Sequence, residues 1–228
     1  MSRTALVTGA SRGIGRALVK ALAARDVVVL ASGRDEAKLQ SLQNETGCLI
    51  YALDLGTREA PRELYARAKD ALGTVDIVVN NAGYNSRKAL FVDTDLEEFE
   101  AQYALNLRAP AELCRLALKD MIERKSGHIV NVLSTATLYA SEQMGIYTAM
   151  KHGLTGLTKV LIKEARPHGV KVSAVHPGGT NTEFRATERP DYMRPESVAE
   201  LIVHSVLFAP DDAVVHELVF RPMVETNF

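Results

Sequence analysis

The stretch Thr4-Ala5-Leu6-Val7-Thr8-Gly9-Ala10-Ser11-Arg12-Gly13-Ile14-Gly15 decides the fold. Thr4 to Val7 is a short apolar, partly β-branched run, and Ile14 to Ala24 carries the apolar spacing of an amphipathic helix. The turn between them carries Gly9 and Gly13, and Gly15 opens the helix just beyond it. Strand, turn and helix in that order put the turn at the carboxyl end of a strand and the amino end of a helix. Unpaired backbone N–H groups and the helix dipole favour an anion there. Gly9, Gly13 and Gly15 remove the Cβ atoms that would hold a phosphate away from those amides. Ser11, Arg12 and Ile14 complete the candidate contact surface.

Outward from this turn, short apolar runs keep alternating with helical patterns. Further strands are predicted over Val27–Ala31, Leu49–Ala52, Ile77–Asn80, His128–Leu133, Lys171–His176 and Glu217–Arg221. Helices are predicted over Glu36–Thr46, Glu59–Leu72, Leu96–Leu107, Ala111–Glu123, Gly145–Ala165 and Pro195–Leu207. Val27-Val28-Val29-Leu30 and Ile77-Val78-Val79 are apolar at successive positions, as strands sandwiched between helices must be. The reading is an α/β fold with a doubly wound parallel sheet, whose ligands bind beyond the carboxyl ends of the strands. No repeat or linker divides residues 1–228, which are expected to form a single dinucleotide-binding and catalytic domain. The irregular stretch 178–194 is long enough to act as a substrate flap.

The 27 Lys and Arg nearly balance the 28 Asp and Glu, and neither sign forms runs. Nothing therefore marks a nucleic-acid or anionic-membrane surface, and a small-molecule substrate is the better expectation. Apolar stretches are interrupted well before the length of a membrane span. Residues 1–4 lead into a strand without a secretory signal, so a cytoplasmic location is expected. Cys48 and Cys114 match no metal or redox spacing and read as buried thiols, and the histidines show no ligand pairing, so no metal is expected.

The spacing T-G-x-x-x-G-x-G at Thr8 to Gly15 resembles the short-chain dehydrogenase/reductase family. Further motifs of that family follow in order: Asp54-Leu55 after the third strand, Asn80-Asn81-Ala82-Gly83 after the fourth, and Pro177-Gly178 with Thr180 and Thr182 after the sixth. The resemblance implies a Rossmann-type domain with a seven-stranded parallel sheet, order 3-2-1-4-5-6-7, flanked by helices on both faces. It also implies a nicotinamide cofactor, with Asp54 and Leu55 at the adenine, Asn81, Ala82 and Gly83 at the sheet end, and Pro177 to Thr182 at the carboxamide. At the end of the second strand such enzymes read the adenosine ribose, using a carboxylate for a free 2′-hydroxyl or a cation for a 2′-phosphate. Here the strand ends Ala31-Ser32-Gly33-Arg34, without that carboxylate. Arg34 and Arg12 favour NADP(H), because guanidinium donors match phosphate oxygens. Asp35 follows directly, so NAD(H) stays possible.

Delivering a hydride to a carbonyl leaves an alkoxide unless an acid supplies a proton. Tyrosine, with a reference pKa of about 10, becomes a better acid beside an ammonium, and residues four apart on a helix share a face. Tyr-x-x-x-Lys occurs three times: Tyr65 with Lys69, Tyr84 with Lys88 and Tyr147 with Lys151. Only Tyr147 has a serine, Ser134, at the spacing of the family's catalytic pair. Ser134 would hold the substrate oxygen in line with the tyrosine. By resemblance, Asn106 would hold a helix backbone and a water in a proton relay reaching Lys151, which would also bind the nicotinamide ribose.

The sequence departs from the family in three places. Asp26 stands where a glycine is usual, the flap after Thr182 is shorter than in many relatives, and the chain reads Arg221-Pro222-Met223-Val224 in place of Val-Asp-Gly-Gly. The last departure bears on subunit contacts, leaving homodimer and homotetramer both open. Tyr84, Ala136, Tyr139, Met144, Gly179 and Phe184 are expected pocket walls, with no Arg or Lys evidently placed to hold a carboxylate. The expected function is reduction of a ketone or 3-oxoacyl-type carbonyl to a secondary alcohol, reversibly, with NADP(H). The alternatives are a non-catalytic NADP(H)-binding regulator and an NAD-dependent alcohol dehydrogenase.

Overall fold

The computed structural model describes residues 2–85, 88–184 and 187–226. Seven strands, β1 (Thr4–Thr8), β2 (Val28–Gly33), β3 (Leu49–Ala52), β4 (Ile77–Asn80), β5 (His128–Val132), β6 (Lys171–Pro177) and β7 (Glu217–Phe220), form one sheet. Its order is β3-β2-β1-β4-β5-β6-β7, with every pairing parallel. The helices are α1 (Gly13–Ala23), α2 (Glu36–Thr46), α3 (Ala60–Leu72), α4 (Leu96–Tyr103), α5 (Ala109–Arg124), α6 (Gly145–Ala165) and α7 (Pro195–Ile202). This is the doubly wound architecture expected from the alternating pattern.

Side-chain alternation along the strands divides the core into two layers. Ala5, Val7, Val29, Val79 and Val132 pack with Leu18 and Leu22 of α1, Leu39 and Leu42 of α2, and Val198 and Ile202 of α7. Leu6, Leu30, Val78, Ile129 and Val172 face the other way, onto Leu64 of α3, Leu113 and Met121 of α5, and Leu161 of α6. Both faces of the central strands are thus covered, which is why those strands carry apolar residues at successive positions. The order reverses beside β1, where β1 pairs with β2 on one side and β4 on the other. At that reversal the crossover helices leave toward opposite faces and open a crevice at the strand ends.

Two expected boundaries change. The pair of helices read at 96–107 and 111–123 is one continuous rod, in which α4 passes through a π-turn, Ala104–Arg108, into α5. Pro110 has no N–H to offer the Asn106 carbonyl four residues earlier. The chain accommodates this by widening, with Ala109 N–H bonded to the Ala104 carbonyl. A second π-turn, Val203–Leu207, finishes the segment read as helix to Leu207. Among the described residues no helix is long and apolar enough to cross a membrane.

Candidate active site

The glycine turn is locked between two strand ends. Gly9 adopts φ +65°, and a Cβ there would lie 2.8 Å from Ala82 Cα. A Cβ at Gly15 would lie 2.3 Å from the Gly9 carbonyl oxygen. Only glycine lets α1 approach the turn, and the turn approach β4, this closely. Thr8 Oγ1 accepts from the N–H groups of Asn81 and Ala82, both at 3.0 Å, while Asn81 Nδ2 donates to the Thr8 carbonyl at 2.9 Å. The first and fourth strand-end loops therefore form one rigid unit.

The start of α1 is left open to a ligand. Asp35 caps α2 and Asp95 caps α4 through their carboxylates, whereas Arg12, at the cap position of α1, supplies no side-chain bond and no acidic residue occupies the first turn. The first amides of a helix have no partner within it. Here they face a cavity whose walls are made by Gly9, Gly13, Ser11 and Ile14. These residues fit a pyrophosphate.

At the end of β2, the same cavity is walled by Arg12, Arg34, Asp35 and Lys38. Lys38 was not singled out from sequence: it lies in the first turn of α2, and only the folded chain brings it beside Arg12. Arg34 is exposed and forms no ion pair among the described residues. Lys38 Nζ lies 2.8 Å, and Arg12 Nη1 3.6 Å, from a single oxygen, Oε2 of Glu183. The hydrogen bond from Lys38, followed by the charges of Lys38 and Arg12, holds the Glu183 carboxyl below its usual range.

At the other end stand Ser134, Tyr147 and Lys151. Ser134 follows β5 and caps a short 3-10 turn, Thr135–Thr137, its Oγ accepting from Ala136 N–H at 3.1 Å. The hydroxyl proton remains available for another acceptor. Tyr147 lies in the first turn of α6, with Lys151 one turn on and its Nζ 5.8 Å from the Tyr147 ring centre. Lys151 is buried and donates to the Val132 carbonyl at 2.9 Å, and loss of hydration pushes its pKa down to about 8. Asn106, also buried, uses its amide to hold the loop after β4. Oδ1 accepts from Tyr84 N–H at 3.0 Å, and Nδ2 donates to the Tyr84 carbonyl at 2.7 Å. The helix backbone that it was expected to hold is replaced by this loop. A Cβ on Gly83 would sit 3.3 Å from Asn106 Oδ1 and 3.8 Å from Lys151 Nζ, so these two side chains converge on Gly83.

One cavity at the carboxyl edge of the sheet joins both ends. Every residue expected to contact the cofactor lines it except Gly15, which works behind the turn, and Ser134 lines it too. Of the expected substrate walls, Met144 and Phe184 line it, and Tyr84 joins them in an adjoining outer cavity that also contains Lys88. Lys88 and Arg189, the latter paired with Asp191, are cations of this outer cavity that the sequence alone did not place there. Ala136, Tyr139 and Gly179 line neither cavity. Tyr139 lies under the Arg221 guanidinium, 4.7 Å from ring centre to Cζ, and Gly179 is covered by Tyr192 and Glu225.

The competing Tyr-x-x-x-Lys pairs have other surroundings. Tyr65 and Lys69 both reach Asp120, at 3.2 and 2.7 Å, tying α3 to α5. Burial first, and then Asp120, push the Tyr65 phenol well above its ordinary range. Lys88 sits in a loop rather than on a helix.

Comparison with known proteins agrees with this geometry. The family description "short chain dehydrogenase" matches residues 3–193. An uncharacterized oxidoreductase of Staphylococcus aureus (strain MRSA252) is 30% identical, the alignment covering 97% of each chain. A metagenomic short-chain oxidoreductase solved in complex with NADP superposes with a TM-score of 0.87 at 31% identity, covering 98% of each chain. A serine dehydrogenase complexed with NADP+ superposes with a TM-score of 0.89 at 27% identity, covering 98% of this chain and 96% of its own. The phosphate-ready turn, the serine, tyrosine and lysine in one cavity and the full-length similarity lead to one conclusion: the chain belongs to the short-chain dehydrogenase/reductase family of oxidoreductases.

Proposed function

We propose that the protein reduces a ketone or 3-oxoacyl-type carbonyl to a secondary alcohol, reversibly, using NADPH. One observation carries the reading: Tyr147, Lys151 and Ser134 line the same cavity as the open amides of α1. When bound, the nicotinamide supplies a hydride to the carbonyl carbon. Gly9 to Ile14 hold the pyrophosphate, and Arg12, Arg34 and Lys38 receive the 2′-phosphate. The NADP-bound relatives support the same choice of cofactor. Ser134 Oγ donates to the carbonyl oxygen and orients it. Tyr147 transfers its phenolic proton to that oxygen as negative charge develops, and the resulting phenolate regains a proton from solvent. The Lys151 ammonium, mostly charged at neutral pH with a pKa of about 8, favours the phenolate. Asn106 fixes the loop after β4 beside Lys151 through its paired bonds to Tyr84.

The test is Tyr147→Phe, assayed by nicotinamide absorbance against ketones, 3-oxoacyl thioesters, sugars and secondary alcohols. A general acid contributes about 10²- to 10⁴-fold, so turnover should fall by that factor while NADPH binding persists. Retention of most activity would sink the reading. The exposed Lys88 in the outer cavity also suits an anionic group at the substrate's far end. The name of the serine dehydrogenase neighbour points the same way, so 3-hydroxy acids belong in the oxidative screen.

A further inference from the structure

Glu183 lies in the flap, 145 residues from Lys38, yet one of its oxygens is shared between Lys38 and Arg12. Both cations belong to the wall that would receive the ribose 2′-phosphate, with Arg34 beside them. We propose that the Glu183 carboxylate stands in for this phosphate and competes with it, making Glu183 a determinant of cofactor selectivity. The proposal rests on the NADP(H) reading above.

A carboxylate brings one negative charge and engages two of the three cations. A phosphate brings up to two charges and three oxygens, enough to reach Arg12, Lys38 and Arg34, which forms no ion pair among the described residues, together. The two anions cannot share these cations without repulsion, so an arriving phosphate displaces Glu183. Glu183 and Lys38 are both about half exposed, with side-chain exposures of 58% and 44%, which keeps their bond weak enough to break. A free 2′-hydroxyl carries no charge and leaves the pair intact.

The neighbours of Glu183 extend the consequence to the reacting end. On one side Thr182 abuts Gly13, 3.2 Å from where a Cβ would stand. On the other, Phe184 packs against Tyr147, ring centres 5.9 Å apart. Releasing Glu183 therefore frees the residue beside the one that covers the proton donor. Phosphate arrival at the ribose end is coupled to the flap over Tyr147.

The experiment compares 2′,5′-ADP with 5′-ADP by calorimetric titration of the wild type and Glu183→Gln. Exposed ion pairs are individually weak, so the variant should bind 2′,5′-ADP about 2- to 10-fold more tightly. Binding of 5′-ADP should change much less. If the wild type prefers 2′,5′-ADP and the variant does not improve on that preference, competition by Glu183 is overturned while the cofactor reading stands. If neither protein prefers 2′,5′-ADP, both fall. The chain has no tryptophan, so Phe184→Trp reports on the flap alone. Its emission should respond to 2′,5′-ADP and stay nearly unchanged with 5′-ADP; equal responses would overturn the coupling.

Discussion

Lys151 is 3% exposed, and its pKa drops from 10.5 to about 8 because burial strips its ammonium of water, for which the bond to the Val132 carbonyl does not compensate. The direction fixes how stability varies with pH. Below about pH 8 both folded and unfolded chains hold the proton, and the folded state bears the full cost of a desolvated cation. Between about 8 and 10.5 the unfolded chain keeps a proton that the folded chain has released, so stability rises with pH across that window. At about 1.4 kcal/mol per unit, the rise attributable to this group is on the order of 2 to 3 kcal/mol. Lys151→Met should lose this increment between pH 8 and 10.5, gain stability at pH 7 and abolish turnover. Urea unfolding of both proteins at pH 7 and 9.5 checks it, and equal pH slopes would contradict the burial argument. Lys151 was legible in sequence because its partner is one helical turn away. Lys38 was not, because its relation to Arg12 and Glu183 exists only after β1, α2 and the flap have met.

At the scale of elements, the sequence located most strands and helices to within one or two residues. Apolar runs without alternation leave few alternatives to a sheet covered on both faces. The junction of α4 and α5 was missed because Pro110 reads as a break in a local pattern. The bond from Ala109 to Ala104 and the grip of Asn106 on Tyr84 carry the helix through it. Two helix ends hold non-glycine residues in the left-handed region: Asp26 after α1, φ 58°, and Lys125 after α5, φ 53°. The glycine usual at Asp26 thus has a backbone reason. A left-handed residue with a side chain costs roughly 1 to 2 kcal/mol, partly offset by the extra entropy glycine loses on folding, and short Asp tolerates the conformation better than Lys. Lys125→Gly should therefore stabilise the protein by about 0.5 to 1 kcal/mol and Asp26→Gly by less. Thermal unfolding of the two variants tests the order; a greater gain at Asp26 would count against it.

Across the whole molecule, the last residues return to the candidate active site. Gly178 N–H bonds the Phe220 carbonyl at 2.8 Å, and Glu225 Oε1 accepts from Gly179 N–H at 3.1 Å. Glu225 Oε2 meets Arg221 Nε at 3.0 Å, and Arg221 covers Tyr139. The flap's far end is tied at the same place, through Asn181 N–H to the Met193 carbonyl and Met193 N–H to the Gly179 carbonyl. This explains why Tyr139 and Gly179, reasonable pocket walls from their neighbours in sequence, lie outside the cavities. Arg221 covers Tyr139, and Glu225 with Tyr192 covers Gly179. The Arg221 and Glu225 side chains are only 9% and 14% exposed, so the pair lies where water screens it little and losing either partner is costly. Glu225→Ala should cost about 2 to 3 kcal/mol, since it removes the one carboxylate that accepts from both Arg221 and the Gly179 amide. Arg221→Met should cost less, because Glu225 keeps that amide and methionine still covers Tyr139. The double variant should lose less than the sum of the two single losses, by about 1 kcal/mol or more, as residues sharing one network do. Chemical denaturation of all four proteins supplies the cycle. Strict additivity would mean that the tail side chains rest against the flap without holding it, and the loop after β6 would then owe its shape to the backbone bonds around Thr180 and Met193 and to that of Gly178 with Phe220.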